Sequence, residues 1–429
     1  MRTELPIRIF RIVGLLLAAL AGLFLLLLAS AGNLLATPKA SEASLLLQVQ
    51  QLTQGLPYEQ ILRTWSSIGG TFPGVLWSRF YGFNILSLRL WVLVGWLFEL
   101  YLLYQIGKNC LDTRFLILIL LFIALCGSQA LFYQSHFFSG LLAFIAVYWA
   151  WHYLVNWYRK GQKNKKHLAA CGLFTALTFW FTPGLGFWMT LAFGIFGLLH
   201  CLLHEREEKN LTYRELSNRE VLKRWGREWC IPWAGMLLLT HGAVLLLLFA
   251  SGLGEPLLHA MFSRLAEANP EPFGYYTTFH SELRFLLEHQ PGPFWLRGIL
   301  ALHLLLIGVL PVMGLLGVGY QLPGRFLYRL LRLEDESLLL LWIAALVLIS
   351  STMNHSSSLH IISNGALVFL LGGYALQRWT QHNRSKRRFA LALGSLFCVS
   401  ILLARMAHAV LLLQQGCELH RLLLSGINS

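Results

Sequence analysis

Apolar stretches close to twenty residues long recur along the chain, separated by short polar or basic segments. A helix of that length crosses about 30 Å of hydrocarbon. The pattern predicts eleven spanning helices, near residues 9–31, 88–106, 115–133, 137–157, 168–182, 184–203, 230–252, 297–319, 338–352, 361–376 and 389–412. Thr182-Pro183-Gly184 reads as the turn between the fifth and sixth, both expected to be short, because proline ends a helix. Between the first two spans the pattern changes. Leu45, Val49 and Leu52 recur at helical spacing, with glutamines mostly elsewhere around the helix. This predicts an amphipathic helix at the membrane surface, capped by Ser41, with Glu42 in its first turn and Gly55 and Pro57 ending it. A second short helix is expected near Tyr58 to Trp65, followed by turns at Gly69-Gly70 and Thr71-Phe72-Pro73-Gly74.

Composition agrees with the pattern. Of the 429 residues, 56% are apolar and 13% charged, against about 25% charged in soluble domains. The fold class is therefore an all-α polytopic membrane protein of about eleven transmembrane helices. The net charge of +14 could suggest nucleic acid, but its distribution excludes that partner. With the N-terminus inside, 25 of the 34 lysines and arginines fall on internal segments, as the positive-inside rule requires. They serve topology first and contact with anionic membrane lipid second. Tryptophans beside the spans, such as Trp225, Trp229, Trp295 and Trp379, read as an interfacial belt. Residues Ile12 to Leu28, followed by Ala29-Ser30-Ala31, have the form of a signal sequence. Retaining them as a helix gives the consistent topology. The seven cysteines form no metal-like or redox spacing.

Two external loops are large, about 33–87 and 252–296, and the internal ones read as basic and otherwise plain. Chemistry is therefore expected at the outer face. Inside the spans, Glu99 and Arg405 are costly in lipid, which suggests either a functional site or a buried structural pair.

The polar landmarks occur in a particular order. They are Ser41-Glu42, Gly55-Leu56-Pro57-Tyr58, Thr71-Phe72-Pro73, Gly82-Phe83-Asn84 through Arg89, Ser281-Glu282-Leu283-Arg284-Phe285, Gly292-Pro293-Phe294-Trp295 and Ser350 to Ile362. Together they resemble the GT-C glycosyltransferases, and most closely the lipid A aminoarabinose transferase and protein O-mannosyltransferase-like group. The resemblance covers most of the chain in order and treats residues 1–429 as a single transmembrane domain. It implies a polyprenyl-phosphate-linked sugar donor and a glycan, lipid or protein acceptor. Transfer would invert the anomeric carbon at the outer face of a bacterial inner membrane, in service of a cell-envelope glycan.

On that resemblance Glu42 is the expected base, with Glu267 as an alternative. Arg284, His136, His355 and His360 are expected phosphate contacts, and Tyr58 and Trp65 would line the sugar pocket. A carboxylate can take the acceptor's proton, and a guanidinium fork suits phosphate oxygens. No cofactor is fixed by these motifs, and a divalent cation stays open. The chain also departs from the family pattern. Ser41 stands where an aspartate is usual, the turn Gln134 to Ser139 has no acid, and His355 and His360 replace a lysine or arginine. A non-catalytic scaffold or accessory subunit of the same fold is the alternative reading. A lipid or solute transporter ranks below it, since no internal repeat is visible.

Overall fold

The computed structural model describes residues 40–54, 68–127, 135–209, 218–252, 254, 283–284, 287–288, 293–328, 332–352, 358–381 and 383–414. Among these every regular element is helical. In chain order they are α1 (Ala40–Thr53), α2 (Ile68–Tyr81), α3 (Ile85–Gly107), α4 (Thr113–Gly127), α5 (Ser135–Lys160), α6 (Lys165–Phe181) and α7 (Pro183–Lys209). There follow α8 (Asn218–Arg224), a π-helical segment (Trp225–Cys230), α9 (Ile231–Ala250), α10 (Phe294–Tyr328), α11 (Leu333–Thr352), α12 (Ser358–Thr380) and α13 (Arg384–Gln414).

Helices occupy ten of the eleven predicted span positions, and the first, 9–31, lies outside the described residues. Length and composition single out six as membrane-crossing: Ile85–Gly107, Phe137–Lys160, Pro183–Glu208, Arg219–Ala250, Phe294–Phe326 and Arg384–Ala407. The shorter apolar Thr113–Leu125 joins them. Among the described residues six helices meet that length and composition, so the expected count of eleven is not confirmed. Of the two spans expected to be short, α6 has 17 residues, whereas α7 runs for 27.

Local chemistry explains the boundaries. Gly82, at φ +77, reverses the chain before α3, a left-handed conformation that costs glycine least. Asn84 then caps α3 by accepting the Leu86 N–H at 2.8 Å. Asn164 caps α6 in the same way through Lys166. Thr182 leaves the helical region and Pro183 opens α7, where its missing N–H costs nothing. Two sequence expectations are corrected here. Ser41 lies inside α1, which starts at Ala40. The segment Gly69 to Gly74 is part of continuous α2, with Pro73 inside it. Proline within a helix is tolerated in a membrane bundle where neighbours hold the freed carbonyl, and α10 likewise contains Pro311 and Pro323.

α5 and α12 form the centre of the bundle, each packed against several other helices. Within Phe137–Lys160, 61% of the apolar window is buried inside the protein, against 17% in Arg219–Ala250. The second helix turns Leu238, Leu239, Leu246 and Leu247 outward, as a lipid-facing helix does. Small residues permit the closest approaches. A Cβ at Gly172 of α6 would stand 2.2 Å from the Trp233 carbonyl oxygen of α9. α1 packs on α2, burying Leu46 and Val49 while Leu47 stays exposed. Of the expected stripe Val49 is buried and Leu52 half-buried, the Leu45 side chain lies outside the described residues, and Leu46 joins the seam. Trp77 ties α2 to α3 through a 2.7 Å hydrogen bond to Ser87 Oγ and stacking on Trp91.

Candidate functional site

The densest gathering of chemistry-bearing side chains in the described residues sits where the end of α7 meets the start of α11. His200 and His204 are four residues apart on α7, so both imidazoles project from one helical face. Glu336 arrives from α11, whose first turn carries Glu334, Asp335 and Glu336, acids that suit a helix N-terminus. His200 Nδ1 lies 3.1 and 2.9 Å from the two Glu336 oxygens. His204 Nε2 stands 3.1 Å from Oε1 but makes no hydrogen bond among the described residues. One ligand atom from each residue lies within 4.8 Å of the others, so the three could hold a metal ion. All three side chains are buried.

Aromatic rings enclose the pair. Trp157 of α5 contacts His200 and His204 at centroid distances of 5.0 and 4.9 Å. The π-helical segment places Trp229 5.8 Å from His200, over Gly197, where a Cβ would lie 2.3 Å from the indole. π-Helical turns of this kind concentrate at functional sites.

Beside the cluster lies a charged cleft of about 720 Å³, lined by Lys163, Glu205, Glu208, Arg224 and Glu228 among others. Arg224 donates to Glu205 at 3.0 Å and, as a two-pronged fork, to both Glu208 oxygens at 2.8 Å. It also reaches Glu228 at 3.3 Å, and Glu228 accepts from Lys163 at 2.7 Å. On the other side of α11, Arg325 pairs with Asp335 and with Tyr374, while Arg378 donates to the Tyr374 hydroxyl at 2.7 Å. These segments, expected to be internal, are therefore not merely basic, as the sequence pattern suggested. Their acids pair with their arginines.

The predicted outer-face residues fall mostly outside the described residues. Tyr58, Trp65, Glu267 and His355 are among those, as are the side chains of Glu42, His136 and His360. Glu42 sits in the first turn of α1, His136 in that of α5 and His360 in that of α12. Arg284 is described: it is exposed and paired with Glu288 at 2.9 Å. Within the spans, both Glu99 carboxylate oxygens are buried and lack a hydrogen-bond partner among the described residues. Sequence reasoning passed over His200, His204 and Glu336. The i, i+4 histidine pair was readable on α7, whereas Glu336 lies 136 residues from His200 along the chain.

These features define an all-helical integral membrane protein. No protein-family model and no curated protein matches the chain. Among solved structures it is similar to an oligosaccharyltransferase of Archaeoglobus fulgidus in complex with zinc and sulfate. The identity is 12%, the alignment covers 80% of this chain and 44% of that one, and the TM-score is 0.46. The chain thus spans less than half the length of that protein.

Proposed function

We propose that this protein is a GT-C-type membrane glycosyltransferase working at the extracytoplasmic face. It moves a sugar from a polyprenyl phosphate to a glycan, lipid or protein acceptor. The observation that carries the reading is the order of the polar motifs along the chain, from Ser41-Glu42 to Leu359-His360. Gly82 and Asn84, two residues of that set, have structural roles at the entry to α3.

In the reaction the acceptor hydroxyl oxygen forms a bond to the anomeric carbon while the bond to the donor phosphate oxygen breaks. Attack from the opposite side inverts the anomeric centre. The proton passes to the Glu42 carboxylate, and the electron pair leaves on the polyprenyl phosphate. Arg284 and His355, with His136 and His360, bind the phosphate as its charge grows. Tyr58 and Trp65 face the sugar. A divalent cation beside the carboxylate belongs to this reading as an option.

The test is Glu42→Gln in purified protein supplied with a polyprenyl-phosphate sugar and an acceptor. A general base contributes roughly 10²–10⁴-fold, so turnover falls by at least about 100-fold, while the protein still purifies as a folded species. Unchanged turnover removes Glu42 as the base. A non-catalytic scaffold is the second reading, favoured by Ser41 at the usual aspartate position. It is supported if neither wild type nor any external-loop variant turns over a donor that the wild type binds.

A further inference from the structure

We propose that His200, His204 and Glu336 form a binding site for one zinc-class divalent ion, which clamps α7 to α11. The inference is independent of glycosyl transfer. Three observations carry it. First, the donor set is two imidazoles and one carboxylate from facing helices, with ligand atoms within 4.8 Å of one another. This is a combination that zinc accepts with one position left for water.

Second, the contacts are close to metal-ligand spacing. Bond lengths of about 2.0–2.1 Å place tetrahedral ligand atoms about 3.3 Å apart. His200 Nδ1 and His204 Nε2 each lie 3.1 Å from Glu336 Oε1, so both histidine–carboxylate separations are within a few tenths of an ångström of that spacing.

Third, the cluster is incomplete as a protein-only arrangement. His204 Nε2 is buried beside Glu336 with no hydrogen bond among the described residues, an arrangement that costs free energy. Glu336 is fully buried with His200 and His204 against its oxygens, and a carboxylate so buried gains from a cation beside it. The neighbouring guanidiniums are already matched. Arg224 holds Glu205, Glu208 and Glu228, and Arg325 holds Asp335. A dication meets both needs together, taking the His204 nitrogen as ligand and neutralising Glu336. In coordinating, His200 exchanges its Nδ1 hydrogen bond for a metal bond. Access is close at hand, since Glu205, next after His204, lines the charged cleft. The aromatic wall of Trp157 and Trp229 keeps the rest of the site dry, which strengthens charge interactions inside it.

The experiment uses the full chain in detergent. The protein is stripped with EDTA, incubated with zinc chloride, dialysed against metal-free buffer and measured for retained zinc by elemental analysis. Its melting midpoint is followed throughout, and a parallel sample takes cobalt(II) chloride. The expected result has three parts: one zinc retained per chain, a higher midpoint that EDTA reverses, and visible cobalt bands of a low-coordinate nitrogen and oxygen site. His204→Asn and Glu336→Gln should lose stoichiometric zinc and the zinc-dependent rise in midpoint. The wild-type arm does not depend on whether the variants fold. If stripped wild type retains no zinc and its midpoint ignores the metal, the proposal is overturned and the cluster is held by its protein contacts alone. Zinc retained equally by both variants also overturns it.

Discussion

Glu99 and Glu336 are both fully buried carboxylates on apolar helices, and they are solved in opposite ways. Glu99 lies in the middle of α3 with neither oxygen hydrogen-bonded among the described residues. Glu336 lies in the first turn of α11, where two imidazoles converge on it. The sequence makes Glu99 conspicuous, because an acid inside an apolar run is costly in lipid. It makes Glu336 unremarkable, one of three acids at a helix start. The contrast shows that cost to the chain and capacity for chemistry are separate properties. The first follows from an acid's local surroundings. The second requires partners, and partners come from other helices.

Substitutions at these two positions should separate the properties. The largest effect is expected at Glu336. Removing one member of a buried, charge-assisted set typically costs about 3–5 kcal/mol. Glu336→Ala, compared with wild type in excess chelator so that only protein contacts are at stake, should lose about 3 kcal/mol of stability. A loss below about 1 kcal/mol would mean that α7 and α11 are held together without the triad. At Glu99 the sign reverses. An unsatisfied buried polar group costs about 1–3 kcal/mol, so Glu99→Leu should raise the melting midpoint, by about 1 kcal/mol in stability. A lowered midpoint would show that groups outside the described residues bond this carboxyl, and the comparison with Glu336 would then collapse.

The same contrast explains what could be read from the chain. Hydrophobic periodicity located the helices because burial in lipid or protein demands it of every turn, and Thr182-Pro183 marked a boundary because proline's geometry is local. Pro73 misled because a proline signal was read without the packing of α2 against α1 and α5 that sustains the helix. The π-helical segment before α9 left no trace in the hydrophobic pattern. It is fixed by Trp229 settling over Gly197, a long-range fit. In the candidate site, the His200 and His204 pair was half the information. The rest depended on how α11 docks, and periodicity does not encode docking.

The smallest effect on stability is expected at Arg284. It lies in the segment expected to be the second external loop, is 68% exposed, and among the described residues pairs with Glu288, itself 49% exposed and four residues on. Exposed pairs at this spacing contribute about 0.3–0.5 kcal/mol, so Arg284→Ala should leave the melting midpoint nearly unchanged. Its effect on function should be larger. A guanidinium bonded to a phosphate is a charge-assisted contact worth about 1.5–3 kcal/mol, which corresponds to a rise of roughly 10- to 100-fold in KM for the polyprenyl-phosphate donor. Arg284→Lys should recover part of it, since lysine keeps the charge but not the planar fork. An unchanged KM would assign Arg284 to its Glu288 pair alone and move phosphate recognition to the histidines. Glu336→Ala would then still report the opposite behaviour, a large loss of stability from a residue remote from the donor. Unlike Arg284, Glu336 is surrounded by what it bonds. Among the described residues Arg284 has one exposed partner to lose, so a large consequence of removing it for the donor's KM points to a ligand.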